Sequence, residues 1–197
     1  MNLHLDMLRH GETVSGGGFR GRLDDALTEA GWQQMRHAVT TAGPWDRIIS
    51  SPLRRCAAFA VEWAEQCKLP LEFEPDLREL DFGDWEGRTA AELMIDQSEA
   101  LGRFWNDPYG FTPPGGERLI DFETRVLTAI ERLTDRFAGE RILLVSHAGV
   151  MRLLLAEARG LPRGQLLQVE VGHGQVFGLR TGFADATLWL KEACSLF

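Results

Sequence analysis

The chain has no block of lysine or arginine residues, and acidic residues outnumber basic ones. Its 197 residues include 21 Lys or Arg and 29 Asp or Glu, so the formal net charge at pH 7 is -8. Nucleic acids and anionic membranes bind through clustered positive charge, so neither is expected as a partner. An anionic ligand would therefore bind at a local group of cations on an otherwise acidic protein.

Long hydrophobic runs are also missing from the sequence. The first six residues have neither the basic start nor the long apolar core of a signal peptide, so none is predicted. No apolar run approaches the roughly 20 residues that a transmembrane helix needs. The only cysteines are Cys56, Cys67 and Cys194, and their odd number and wide spacing predict reduced thiols in a cytoplasmic protein.

The composition is otherwise that of an ordinary globular protein. With 44% hydrophobic and 25% charged residues, the chain is predicted to form a single domain over residues 1–197. Strand and helix patterns alternate through most of it, which predicts the α/β class. The segment Arg141–Ser146 is apolar on both faces and is predicted to be a central, parallel strand.

The first candidate functional residues follow the first predicted strand, Leu3–Leu8. Arg9 and His10 come at its end, and the glycine-rich segment Gly16–Gly18 follows. In open α/β sheets, ligands bind in the crevice at the carboxyl ends of the strands. An arginine beside an imidazole suits a phosphate there. Taken alone, the segment is better explained as a surface Arg-His pair at a strand end than as a phosphate site.

Two further strand-to-helix turns carry similar side chains. After the strand Asp46–Ser50, Ser51 is predicted as the N-cap of a helix, with Arg54 and Arg55 in its first turn. A cation is unfavourable at this end of a helix unless an anion binds there; Arg54 is predicted to extend into solvent. The third turn places His147 after the central strand. Together the three turns predict an anion site.

The remaining elements are predicted from periodicity and capping signals. Thr28 and Thr89 are predicted N-caps, and the region from Gln97 to Pro114 is predicted to be an irregular flap. Further predicted elements are the helices Ala30–Ala42 and Glu117–Arg136 and the strands Leu166–Val171, Gln175–Leu179 and Ala186–Leu190.

These residue types fit phosphoryl transfer to a histidine. A neutral imidazole can accept a phosphoryl group, and Arg9, Arg55 and His147 would supply fixed donors to its oxygens. Glu79 is the first candidate for the acid that protonates the leaving group, and Glu12, Asp81 and Glu86 are weaker candidates. A Walker loop and a Gly-x-Ser-x-Gly elbow are absent. A zinc site and a non-catalytic phosphate-binding module remain alternatives.

Four segments together resemble the histidine phosphatase superfamily, also called the phosphoglycerate-mutase-like family. They occur in family order and are Leu8–Thr13, Ser50–Arg55, Leu77–Gly87 and Ser146–Gly149. The resemblance implies a three-layer α/β/α fold with a mostly parallel sheet, and catalysis without a metal or other cofactor. It implies that His10 is the phosphorylated nucleophile and Glu79 the proton donor. Arg9, Arg55 and His147 would then form the phosphate pocket.

Within the family, the chain is most similar to the α-ribazole phosphatase branch of the cobalamin pathway, so the expected ligand is a small phosphate ester. A broad-specificity sugar or metabolite phosphatase and a mutase-like enzyme are the alternatives. The family often has an asparagine a few residues after its Arg-His-Gly-Glu segment, and this chain has glycine there. The role of His173, which of the aromatic residues Trp105–Phe111 face the substrate, and whether the chain forms a homodimer are left open.

Overall fold

The computed structural model describes residues 2–193, and a six-stranded sheet lies at its centre. The strands are β1 (Leu3–Arg9), β2 (Arg47–Ser50), β3 (Leu71–Phe73), β4 (Arg141–Ser146), β5 (Val176–Ala184) and β6 (Thr187–Glu192). Their order is β3–β2–β4–β1–β5–β6. The first four are parallel to one another, β5 runs antiparallel to its neighbour β1, and β6 runs antiparallel to β5. The prediction that Arg141–Ser146 is central and parallel is confirmed.

Six α-helices and three short 3₁₀ helices are described. The α-helices are α1 (Glu29–Thr40), α2 (Arg54–Cys67), α3 (Ala90–Asp96), α4 (Ser98–Asn106), α5 (Leu119–Arg136) and α6 (Ala148–Ala158). The 3₁₀ helices are Pro75–Leu77, Gly83–Trp85 and Arg163–Gln168. Within residues 2–193, none of the helices has the length and apolar character needed to cross a membrane.

The two faces of the sheet are covered by different helices. Along β4, Ile142 and Leu144 pack into a core with α3 to α6, whereas Leu143 and Val145 pack into a second core with α1 and α2. Successive side chains of a strand point to opposite faces, so this alternation places one helical layer on each side. The predicted α/β/α architecture is confirmed.

Helix starts follow the predicted capping residues in two cases. The Thr28 hydroxyl accepts a hydrogen bond from the amide of Gly31, and Thr89 forms a capping box with Glu92 before α3. A third predicted cap is wrong: α2 begins at Arg54, and Leu53 rather than Ser51 is its N-cap residue. Ser51 is fully buried, and its hydroxyl accepts from the amide of Leu53 at 3.3 Å and contacts the ring of His147 at 2.7 Å.

Two other predictions are wrong for reasons of local periodicity. The predicted strand Leu166–Val171 overlaps the 3₁₀ helix Arg163–Gln168, in which the buried Leu166 is followed three residues later by the buried Val169. The predicted irregular flap contains α4, a nine-residue helix with only two buried side chains, Leu101 and Phe104. Two buried side chains are too few to show a helical periodicity in the sequence.

The register of the parallel strands places the chemical groups together. Arg9, the last residue of β1, pairs with Ser146, the last residue of β4, and Ser50 of β2 pairs with Val145. The carboxyl ends of three adjacent strands therefore align at one edge of the sheet. The segments that begin with His10, Ser51 and His147 all leave the sheet at this edge.

Candidate active site

A cavity of about 460 Å³ opens at this edge of the sheet. Side chains from distant parts of the chain form the polar part of its lining: Arg9, His10, Arg20, Glu79, Arg152 and His173. The apolar part of its lining is formed by Phe82, Phe104, Trp105, Leu119, Phe122, Leu166 and Leu167. A pocket lined by both charged and apolar side chains suits a ligand with an anionic group attached to a larger, less polar body.

His10 is held with one ring nitrogen available to the cavity. Its Nδ1 lies 2.8 Å from the carbonyl oxygen of Gly11. A carbonyl only accepts, so Nδ1 carries the proton and Nε2 keeps its lone pair. Burial, followed by the positive charge of Arg55, holds the pKa of His10 well below its usual value. The ring is therefore neutral and able to act as a nucleophile at neutral pH.

Arg9 is clamped beside His10 by the segment that leads into β5. Its Nη1 donates to the Val171 carbonyl at 2.6 Å, and its Nη2 donates to His173 Nε2 at 2.9 Å. Its Nε is buried and has no hydrogen-bond partner among the described residues. Burial lowers the pKa of Arg9 to about 10, while the nearby Glu79 carboxylate acts in the opposite direction.

His147 lies behind His10, with their ring centroids 5.3 Å apart. Arg55 Nε donates to its Nδ1 at 3.3 Å, and its Nε2 lies 2.7 Å from the Ser51 hydroxyl oxygen. Arginine cannot accept a hydrogen bond, so Nδ1 is the acceptor and Nε2 carries the proton of the neutral ring. Burial and the charge of Arg55 hold the pKa of His147 well below its usual value.

Arg55 holds the loop at residues 20–23 in place next to the site. It is fully buried, and its guanidinium donates to the carbonyls of Leu23 at 2.6 Å, Gly21 at 2.9 Å and Arg20 at 3.2 Å. Neither Arg55 nor His147 is among the side chains that line the cavity. Their predicted contacts with phosphate therefore stay predictions. In this structure both groups bind other parts of the protein.

The Glu79 carboxyl group lies at the cavity wall beside the N-terminus of α6. Its Oε1 accepts from the amide of Leu80 and its Oε2 from the amide of Gly149, each at 2.9 Å. Arg125 fixes the loop beneath, because it donates to the carbonyls of Asp76, Arg78 and Glu79. Two backbone amides and one arginine thus set the position of this carboxyl group.

The other three carboxylates proposed from the sequence are outside the cavity lining. Glu86 accepts hydrogen bonds from four backbone amides, those of Gly21, Arg22, Leu23 and Phe82. Asp81 accepts from the amide of Gly83, and Glu12 accepts from the Thr28 hydroxyl. Their hydrogen bonds hold loops together. Glu79 alone of the four faces the cavity.

Arg20 is a pocket residue that the sequence reasoning missed. Its side chain is only 8% exposed, pairs with Asp25 at 2.7 Å and donates to the Ser15 carbonyl at 3.1 Å. The guanidinium therefore fixes the glycine loop from behind, and its Nε is buried without a partner among the described residues. Gly16 and Gly18 have positive φ angles, 73° and 136°, which side chains rarely adopt. Where the family often has asparagine, this chain has a cation behind a glycine loop.

Arg152 and His173 also line the cavity. Arg152 lies in the first half of α6, and its Nε donates to the Val169 carbonyl at 2.9 Å. The sequence reasoning did not single out Arg152, because one arginine on an apolar helix carries no distinctive signal. His173, which the sequence left between a pocket role and a structural turn, contacts Arg9 directly.

Comparison with known families identifies the chain. The model of the "Histidine phosphatase superfamily (branch 1)" matches residues 5–188. The chain belongs to this superfamily. The family resemblance read from the four sequence segments is confirmed.

The most similar relatives of this histidine phosphatase include two named enzymes. The adenosylcobalamin/alpha-ribazole phosphatase of Salmonella typhimurium is 33% identical over 189 residues, covering 92% of this chain and 93% of that protein. The glucosyl-3-phosphoglycerate phosphatase of Mycolicibacterium vanbaalenii is 34% identical over 203 residues, covering 92% and 89%. Three mycobacterial relatives are 35% identical, and the chain spans about half of their length, 49%.

A solved structure supports the same assignment. The alpha-ribazole phosphatase from Shigella flexneri has a TM-score of 0.78 and 30% identity, and the match covers 98% of this chain and 95% of that one. With the family match, these relatives support the prediction of a phosphatase.

Within residues 2–193 of this histidine phosphatase, no three His, Cys, Asp or Glu side chains lie close enough together to hold a metal ion. Cys56 and Cys67 are free thiols, and Cys194 lies outside the described residues. Cys56 is buried under His147, and burial raises the pKa of its thiol to about 12. It is therefore uncharged and packs as an apolar side chain.

Gly149 leaves the space that the Glu79 carboxyl group occupies. A Cβ atom at position 149 would overlap with Oε1 of Glu79, so Gly149→Ala is expected to displace this carboxyl group. Since a displacement of about 1 Å can cost roughly 100-fold in rate, kcat should fall by about 10- to 100-fold. Steady-state kinetics and a thermal melt are the measurements.

The matched control is Gly102→Ala in α4, where a Cβ atom would meet open space. This variant should keep the wild-type kcat and gain up to about 1 kcal/mol in helix stability. Wild-type activity in Gly149→Ala would show that the position of the Glu79 carboxyl group does not limit the reaction.

Proposed function

We propose that this phosphatase hydrolyses phosphate monoesters without a metal ion, through a phosphoryl group transferred to His10. The observation that carries the proposal is the unprotonated Nε2 of a neutral His10 among the cationic side chains of a cavity. A phosphate bound there would lie near the guanidinium groups of Arg9 and Arg20, which line the cavity. Contacts of this phosphate with Arg55 and His147 stay predictions, because neither side chain lines the cavity.

The proposed reaction has two steps. His10 Nε2 attacks phosphorus, the bond from phosphorus to the ester oxygen breaks, and Glu79 gives its proton to the departing alkoxide. Glu79 then takes a proton from a water molecule that attacks phosphohistidine, which releases inorganic phosphate and restores the neutral imidazole. The guanidinium groups compensate the charge on the equatorial oxygens in both steps.

For the leaving group, we propose α-ribazole, the alcohol released from α-ribazole 5′-phosphate. The apolar part of the cavity lining supports this choice, because the flat base of a nucleotide analogue can pack against aromatic side chains. Trp105 lines the cavity and is 47% exposed, so it has free surface for such a contact. The names of several relatives point the same way.

A phosphorylated sugar acid is the second candidate, and Arg152 favours it. Its guanidinium lines the cavity and would pair with a carboxylate on the leaving group. The glucosyl-3-phosphoglycerate phosphatase is the relative that suggests this class. The cytoplasmic location stays a prediction, and whether the chain forms a homodimer stays open.

The two candidates predict opposite effects of two substitutions. In chelator-treated protein, Trp105→Ala should lower kcat/KM for α-ribazole 5′-phosphate by about tenfold, the order of an aromatic contact. Arg152→Gln should then change this value less than threefold. If the substrate is a sugar acid, Arg152→Gln should instead cost about 10- to 100-fold on a phosphoglycerate ester, the order of a charge-assisted hydrogen bond.

Exposed residues outside the cavity supply the matched controls. Phe183→Ala removes an aromatic side chain that is 44% exposed, close to the exposure of Trp105, and Arg180→Gln removes an exposed arginine of β5. Both control variants should keep the wild-type kcat/KM for every ester. If all esters are hydrolysed at equal rates and Trp105→Ala does not change these rates, the α-ribazole assignment is contradicted. Phosphatase activity would still be supported.

A further inference from the structure

His173 belongs to a short segment, Val171–Gln175, that joins the last 3₁₀ helix to β5. Its Nε2 accepts a hydrogen bond from Arg9 Nη2 at 2.9 Å, and its ring centroid lies 5.6 Å from that of His10. The ring therefore lies beside the proposed nucleophile and touches the arginine next to it. The reaction scheme proposed above gives His173 no role.

The contact with Arg9 fixes the protonation state of His173. A guanidinium only donates, so Nε2 must present its lone pair, and the proton of the neutral ring is on Nδ1. His173 is an exposed residue, but partial desolvation of its ring and the adjacent charge of Arg9 lower its pKa below the usual value. Above this pKa, His173 is an uncharged acceptor for Arg9.

The segment that carries His173 is itself firmly placed. The amide of Gly174 donates to the Arg9 carbonyl at 3.2 Å, and the Arg9 amide donates to the Gln175 carbonyl at 3.1 Å. The Gln175 side chain accepts from the amide of Gly172 at 2.7 Å. Gly174 has a φ of 65°, and a Cβ atom there would press against Gln34. His173 is thus presented to Arg9 by a closed turn.

We infer that His173 is a positioning residue that holds the Arg9 guanidinium against the reacting phosphoryl group, and that it does so only while uncharged. The inference rests on the proposed function, because it assumes that Arg9 binds this phosphoryl group. Protonation at Nε2 would remove the acceptor and place a second cation against Arg9. Arg9 would then keep only the Val171 carbonyl as a fixed partner on this side.

Charged and titratable groups from the end of β1 and from the loop beyond it face His173. Arg9 and His10 come from the end of β1, and Arg20 comes from the loop beyond it; Arg9 and Arg20 both oppose a positive charge on the ring. Glu12 acts in the other direction. The cations predominate, so the ring stays neutral down to a pH below the usual histidine pKa.

Two substitutions test separately whether His173 acts as a hydrogen-bond acceptor and whether its protonation matters. His173→Gln places an amide oxygen where Nε2 lies and cannot titrate, whereas His173→Leu fills the space and offers no acceptor. His37→Gln on α1 is the matched control, because His37 is exposed and outside the cavity. Each variant is assayed with an aryl phosphate between pH 5 and pH 8, and kcat and KM are determined separately.

We expect His173→Leu to lose about tenfold in kcat at pH 8, on the order of one hydrogen bond to a charged group. His173→Gln should keep at least about a third of the wild-type kcat there. As the pH falls, the ratio of kcat for His173→Gln to that of wild type should rise, because only wild type loses the acceptor. Substrate phosphate titrates in both enzymes and cancels in the ratio. The ratio for His37→Gln should stay constant.

Equal losses in His173→Gln and His173→Leu, or a ratio that does not change with pH, would overturn the inference. A KM effect without a kcat effect would also overturn it, since positioning of Arg9 in the reaction must lower kcat. Failure of the proposed function is a separate result: wild type would then form no phosphohistidine, whatever residue stands at position 173.

Discussion

Replacement of His10 by asparagine is expected to reduce kcat by at least about 10⁴-fold, the order of loss seen when a catalytic nucleophile is removed. Asparagine keeps a polar group near the Gly11 carbonyl but has no lone-pair nitrogen at the position of Nε2. The cationic part of the cavity lining stays in place, because Arg9 is clamped by Val171 and His173 rather than by His10. Binding of inorganic phosphate should therefore be retained within about tenfold.

The measurement has two parts. Phosphate release is followed under steady-state conditions, and labelled substrate is quenched in alkali, where phosphohistidine is stable, to trap the phosphoryl enzyme. Wild type and His37→Asn should both retain label, and His10→Asn should not. A variant with near-normal rate, or label that persists in His10→Asn, would contradict the proposed nucleophile. A parallel loss of phosphate binding would indicate a damaged pocket instead.

The pH dependence of this step follows from the lowered pKa of His10. Because burial and Arg55 disfavour the imidazolium form, the neutral nucleophile persists as the pH falls through the usual histidine range. The lowered pKa favours catalysis at low pH, but it makes the folded protein less stable there. The unfolded chain binds protons at His10 and His147 that the folded chain does not, so the free energy of unfolding should decrease below about pH 6.5.

The sequence predicted the elements that carry strong local signals. Arg141–Ser146 is apolar throughout, and its central position in the sheet follows from that pattern. The Thr28 and Thr89 caps are local hydrogen bonds between near neighbours, which sequence spacing alone can show. Because the strand ends align at one edge, placing Arg9, His10 and His147 on such ends was enough to bring them near one another.

The remaining pocket residues depend on contacts between distant segments. Ser51 has a good capping side chain, but its hydroxyl contacts His147, which lies 96 residues away in the chain. Arg20 lies in a loop with no periodicity, and only the fold shows that its guanidinium is buried behind the glycine loop. Arg9 and His173 are 164 residues apart. No local pattern in one sequence reveals such pairs.

Substitution of Glu79 by glutamine is expected to slow esters with poor leaving groups far more than activated aryl esters. An alkoxide must be protonated as it departs, and removal of a general acid costs about 10²- to 10⁴-fold. An activated aryl phenolate delocalises its negative charge into the ring, so it departs with little protonation. Glutamine keeps the size of the side chain and one oxygen for the amide of Leu80 or Gly149.

The first step must be measured separately, because Glu79 is also proposed to activate water in the second. Rapid-quench release of the leaving group reports phosphorylation of His10 alone. In this step, the sugar or ribazole ester should lose about 10²-fold or more in Glu79→Gln, and the aryl ester less than about tenfold. In the second step both esters should slow equally, since they share one phosphoryl enzyme.

Glu86→Gln is the matched control, because Glu86 also accepts backbone amide hydrogen bonds but does not line the cavity. Its loss loosens the segment Gly21–Leu23, which Arg55 also holds, so any change in rate should affect both esters alike. Equal slowing of both esters in the first step of Glu79→Gln would mean that its carboxyl group is structural. The proton would then have to come from another group, and Glu79 is the one carboxyl among the four sequence candidates that faces the cavity.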